Sequence, residues 1–370
     1  MIASRKIWLF WLCITALTVY YSCTQSNPQE EIVSAIQETA IDVSGYGLAK
    51  LSEYGFFSGN MVDLIPVEGI LPYDLITPLF SDYAQKARFL KIPEGTKAKY
   101  ESFSVLDFPL GTILIKNFFY SNDFTDASKG RKVLETRLLI HEEKGWKALP
   151  YIWNDEQTEA TLEIAGGKKE ISWVHYDGTQ KSLSYSIPNI NQCKGCHIKG
   201  SEMKPIGPAV RHLNRDFEYA DGSFNQIEKL LAENLIEGVP ENREAWPKVP
   251  VWNDASTGSL TSRARAYLDV NCGHCHRAEG PANTSGLLLD YHHNNPNHLG
   301  IYKTPVAAGR GAGHLQYSIV PGKPEESILT FRMKSEDPGV MMPELGRKLI
   351  HKEGVAVIEE WIASLNPADY

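Results

Sequence analysis

Between residues 51 and 188 apolar and polar positions alternate in short runs rich in β-branched and aromatic side chains. The runs cover residues 87–92, 112–120, 133–141, 147–153, 161–164, 171–176 and 182–187. Alternation of period two places every second side chain on one face of a strand. Turn residues separate many of the runs: Ser128-Lys129-Gly130, Glu143-Lys144-Gly145, Gly166-Gly167 and Asp177-Gly178. Short strands at this spacing predict an antiparallel β sandwich or barrel.

From residue 189 the apolar spacing changes to three and four, which predicts helices. Ser223 is placed to cap a helix over 224–236, with Ile227, Leu230, Leu231 and Leu235 as its stripe and Gly238 beyond its end. A second helix over 260–271 carries Ala264, Tyr267 and Leu268 on one face. A third over 352–365 carries Val355, Ile358, Ile362 and Leu365, with Trp361 beside them. The expectation is a multidomain chain: a β-rich region at 51–188, then mainly α segments at 189–258 and 259–370.

The start of the chain has a different pattern. Arg5 and Lys6 precede an apolar run over residues 7–21, shorter than the roughly 20 residues a membrane-spanning helix needs. A basic start followed by a run of this length reads as a signal peptide over 1–22. Cys23 follows Ser22 and opens a polar stretch, so it is the candidate lipidated residue, with Tyr20 where such signals usually carry an aliphatic side chain. Ordinary secretory cleavage is the alternative. Residues 23–50 then form a polar tether. The expected location is the periplasmic side of a bacterial membrane, through a lipid anchor or otherwise soluble. With 37 Lys and Arg against 45 Asp and Glu, the formal charge of -8 argues against a nucleic-acid partner.

The cysteines carry the chemistry. Apart from Cys13 in the signal and Cys23, they fall in two copies of Cys-x-x-Cys-His: Cys193-Lys194-Gly195-Cys196-His197 and Cys272-Gly273-His274-Cys275-His276. This is the c-type haem attachment pattern. On a helical turn, residues three apart share a face, so both thiols reach the vinyl groups of one haem while the next residue supplies the proximal imidazole. A disulfide would not need His after the second Cys in both copies. The pairs are 79 positions apart, whereas zinc ribbons space them by about 15–20. Two covalently attached haem c groups are expected.

The stretches LFSDYAQKARFLKIP, FPLGTILIKNFFY, ETRLLI, YIWNDEQTEA, CKGCH followed by PIGP, NCGHCH and MMPELGR resemble a family of predicted bacterial dihaem c-type cytochromes with a β-rich N-terminal region. The part from about residue 261 resembles a cytochrome c domain, with one helix entering the motif and a closing C-terminal helix. The resemblance implies haem binding, electron transfer and redox partner proteins, and no particular substrate. It also implies a distal Met between the motif and the last helix, where a thioether suits low-spin iron. Met342, followed by Pro343, is the first candidate, ahead of Met341 and Met333. For the first haem the candidates are Met203, His212, His175 and His141, or an open iron position.

Other features carry less. His292, His293 and His298 read as a polar loop, and the glycine-rich run 309–313 lacks the Lys of a phosphate cradle. Arg310 or Arg347 could pair with haem propionates. Three functions fit these residues: an electron carrier, a peroxidase-like dihaem oxidoreductase with one open iron, or a β-rich ligand-binding module with haem.

Overall fold

The computed structural model describes residues 45–370; the signal, Cys23 and most of the tether lie outside the described residues. The alternating runs form a six-stranded antiparallel meander: β1 Leu71–Tyr73, β2 Gln85–Lys91, β3 Ile113–Ser121, β4 Arg131–Glu142, β5 Gly145–Trp153 and β6 Ala160–Leu162. Each of the six pairs with the next of the six, while the short strand Ala98–Lys99 between β2 and β3 pairs with Ile236–Glu237 instead. A bulge between Phe118 and Phe119 interrupts the β3–β4 register. β7 Gly167–Val174 and β8 Gln180–Ile187 form a separate hairpin, whose Ile171, Trp173, Tyr185 and Ile187 join Phe118, Tyr120 and Leu134 in one apolar cluster. The first and last strands of the meander do not pair, so the sheet is not a closed barrel, and a two-stranded hairpin is not the second sheet of a sandwich.

The expectation of mainly α haem domains after residue 188 is overturned. Among the described residues there are six short α-helices: α1 Ile190–His197, α2 Val210–Leu213, α3 Gln226–Ala232, α4 Leu260–Leu268, α5 Ile328–Met333 and α6 Lys352–Ser364. Between them lie 3-10 turns, loops and strands of two to four residues. Prolines at 205, 208, 240, 247 and 250 and long Asn- and Gly-rich stretches interrupt the helical period before it can propagate. α3 begins later than its apolar stripe suggests because Asn225, rather than Ser223, caps it, accepting the Ile227 N–H at 3.0 Å.

Two further clusters organise the rest. Leu90, Leu114 and Trp146 of the meander pack with Val210, Leu213, Ile227 and Leu230 of α2 and α3. Tyr267, Leu268 and Cys272 pack with Val355, Ile358, Trp361 and Ile362 of α6. Gly354 lets α4 and α6 approach, since a Cβ there would sit 2.4 Å from the Tyr267 ring. The C-terminal part is tied to the strands through Asp82, which accepts the Lys348 and Leu349 N–H groups at 2.7 Å each.

Between its two apolar ends, one face of the meander is charged. Arg88, Lys116 and Arg137 stand directly opposite one another on β2, β3 and β4, and Lys86, Phe118 and Glu135 form the next row. Like charges placed directly across strands are destabilising, so this row is not a packing solution.

Candidate haem-attachment site

At the first motif, Asn189 and Gln192 cap α1 reciprocally. The Gln192 N–H donates to Asn189 Oδ1 at 2.9 Å and the Asn189 N–H to Gln192 Oε1 at 3.0 Å. The helix places Cys193 and Cys196 on one face and ends at His197. The chain then turns through a hairpin, Ile198–Lys199 against Glu202–Met203. This brings the Lys204 carbonyl within 2.9 Å of His197 Nδ1. Burial pushes the His197 imidazole down to about 3, so the ring is neutral. Nδ1 therefore carries the proton and donates it, and Nε2 keeps a lone pair with no hydrogen bond among the described residues.

The second motif reaches the same state by another route. Ser259 caps α4, which continues into a π-helical turn, Asp269–Gly273, a distortion frequent at functional sites. His276 Nδ1 lies 3.0 Å from Ser285 Oγ, and that hydroxyl spends its own proton on the Ala282 carbonyl at 2.6 Å. Ser285 Oγ must then accept from Nδ1, and Nε2 is again the free lone pair. Burial, with the Arg332 charge nearby, pushes this imidazole down to about 4. All four thiols are free. Burial pushes those of Cys272 and Cys275 up to about 12, so they are neutral. Among the described residues no group of three or more His, Cys, Asp and Glu gathers around a metal position. Two thiols and one imidazole bearing a free Nε2, repeated at both motifs, fit a covalently held haem.

The structure brings the motifs together. The Gly200 N–H donates to the Glu279 carbonyl at 2.7 Å and Arg277 to the Ile198 carbonyl at 3.4 Å, joining the segments that follow each His. No family model, curated protein or solved structure matches the chain. The functional reading therefore rests on the geometry of these side chains.

Met342 lies on the loop between α5 and α6. Its N–H donates to the Arg332 carbonyl at 3.1 Å, and Arg332 is the residue whose charge acts on His276. Two residues on, Glu344 acts on Cys275, and Leu345 reaches the first motif, its Cδ1 3.6 Å from where a Cβ on Gly195 would sit. Met333 is buried in the apolar cluster of α4 and α6, which makes it a packing residue.

Each distal candidate for the first haem already makes other contacts, though His212 Nδ1 and His141 Nε2 have no hydrogen bond among the described residues. His212 Nε2 faces the Asp269 carboxylate at 3.1 Å, and Arg211 grips the same carboxylate at 2.8 and 3.1 Å. His141 Nδ1 lies 2.9 Å from the Phe108 carbonyl, with its ring stacked on Trp146. His175 accepts the Trp173 indole N–H at 3.2 Å, and Met203 packs against the cluster around Trp146. The propionate candidates are occupied too: Arg310 pairs with Asp337, and Arg347 donates to the carbonyls of Met342, Leu349, Arg332, Met333 and Ser335. His293 pairs with Asp290 rather than with its neighbouring imidazoles.

Two features were not picked out in the sequence. One is a cavity of about 440 Å³ lined by Lys199, Arg211, His212, His274, Arg277 and His292 among others. His212 Nδ1, His274 Nδ1, Arg277 Nε and His292 Nε2 are buried there without a partner among the described residues. The other is the charged row of the meander. Lys86, Lys116 and Arg137 lie 5.9, 4.7 and 4.2 Å from the centre of the Phe118 ring. A cation over a ring gains about 0.5–2 kcal/mol, while burying each ion costs several kcal/mol. Glu135 balances Arg137, and one ring does not offset the burial of both lysines. Burial, with Arg88 and Arg137 nearby, pushes the Lys86 ammonium down to about 7 and that of Lys116 well below its usual range. The signal for this row was in the sequence: Lys and Arg at alternate positions inside strands that are otherwise apolar.

Proposed function

We propose that the chain is an exported dihaem c-type cytochrome that transfers electrons, of the family its motifs resemble. Cys193 and Cys196 attach one haem c and Cys272 and Cys275 the other. His197 and His276 are the proximal ligands, and Met342 is the distal ligand of the second haem. The observation that carries this is the repeated imidazole geometry: each motif ends in a neutral His whose Nδ1 is held and whose Nε2 is free. Once bound, each haem supplies one-electron chemistry at its iron. The Lys204 carbonyl and Ser285 hydroxyl fix the tautomer and orientation of the two ligating rings. The adjacency of the motifs supports a relay in which both groups serve one path to redox partner proteins. The location is the periplasmic side of a bacterial membrane, with Cys23 as the lipid attachment point.

A second reading, a dihaem oxidoreductase with one open iron, draws on the engagement of His141, His175, His212 and Met203 elsewhere. Reductive titration of the exported protein, followed by carbon monoxide and then peroxide, separates the two. The electron carrier gives two reversible one-electron steps with no peroxide turnover. Carbon monoxide uptake at one haem together with peroxide turnover favours the second. Cys193→Ala with Cys196→Ala should leave one covalent haem in place.

A further inference from the structure

Within the charged row of the meander the two arginines have carboxylate partners and the two lysines have none among the described residues. Arg88 pairs with Asp74, and Arg137 holds Glu135 through two bonds, the longer 2.7 Å; Glu135 also accepts from Tyr185 at 2.7 Å. Asp74 is shared with Arg215 at 3.6 Å, and Asp82 is taken by backbone N–H groups. Lys86 and Lys116 have no hydrogen bond or ion pair among the described residues, though both stand amid other cations. The row is beside the first motif: α1, which carries Cys193 and Cys196, packs against β5, and Arg137 stands opposite Pro150 of that strand; Arg137 and Lys116 also act on Cys196 and His197. Two haems would bring four carboxylates into this region, and both arginines suggested by the sequence for that task are occupied.

We propose that Lys86 and Lys116, flanked by Arg88 and Arg137, form a carboxylate-binding strip that holds haem propionates beside the attachment motifs. This rests on the haem reading above. A cation on a propionate offsets negative charge that otherwise stabilises ferric iron, so removing it lowers that haem's potential.

The test compares the wild-type holoprotein with Lys86→Gln, Lys116→Gln and Lys116→Arg. Haem is counted after alkaline pyridine treatment, both potentials are titrated, and redox-difference infrared spectra of the propionate carboxylates are recorded. All four proteins should carry two haems. Either Gln variant should lower one potential by about 59 mV, a tenfold shift in the ferric to ferrous ratio, and move the carboxylate bands, and Lys116→Arg should restore both. A change in potential with the bands unmoved overturns the pairing. Acetate or phosphate that shifts the wild-type potential but not that of the Gln variants assigns the strip to a free anion and overturns the haem source. No change in any readout overturns the strip altogether. Fewer than two haems in the wild type refutes the haem reading instead.

Discussion

Asp269 shows how one residue holds the second motif in place. It ends α4 three positions before Cys272, and its carboxylate takes Arg211, His212 and the Tyr291 N–H, the last at 3.1 Å. Burial alone would raise its pKa; the Arg211 charge and the His212 hydrogen bond outweigh burial and hold the carboxyl well below the usual carboxylate range. An acid with a depressed folded pKa contributes stability that is complete above its unfolded value near 4 and is lost as pH falls below that. Asp269→Asn should cost about 3–5 kcal/mol at neutral pH, because it leaves Arg211 buried without a counter-charge. It should also flatten the acid limb of the stability profile, measured by urea unfolding between pH 3 and 7. An unchanged acid limb would remove Asp269 from this role. Met342 makes a different kind of claim: Met342→Ala should give the second iron a position that carbon monoxide enters, while Met333→Ala should lower stability by about 2–5 kcal/mol through its cavity and leave the iron spectrum alone.

The elements differ in how far local pattern reveals them. The runs at 112–120 and 133–141 are strands because alternation is a property of the strand itself, and β3 and β4 are found there. α6 follows its stripe for the same reason. The mainly α character expected after residue 188 failed because two convincing stripes, at α4 and α6, stood for long stretches with no period at all, and the motif-bearing turns are held by contacts with the meander and with each other. The two Cys-x-x-Cys-His motifs were legible because their residues are adjacent in sequence. The distal candidates were not, since the partners of His212 and His141 lie 57 and 33 positions away. The α4–α6 contact gives a direct check: Gly354→Ala would press on the Tyr267 ring and should destabilise the chain by about 1–3 kcal/mol in thermal unfolding.

At the scale of the whole molecule, residues 46–370 form one compact unit in which a charged sheet face, two neighbouring attachment motifs and the Met342 loop meet. Among the described residues no helix is long and apolar enough to cross a membrane. The measurement closest to this account is the intact mass of the exported protein after denaturation and acid extraction, which strips haem held only by coordination. The account predicts a mass increased by two haems, located by proteolysis on the peptides containing Cys193 with Cys196 and Cys272 with Cys275. A polypeptide that retains no haem, or retains one, would contradict it.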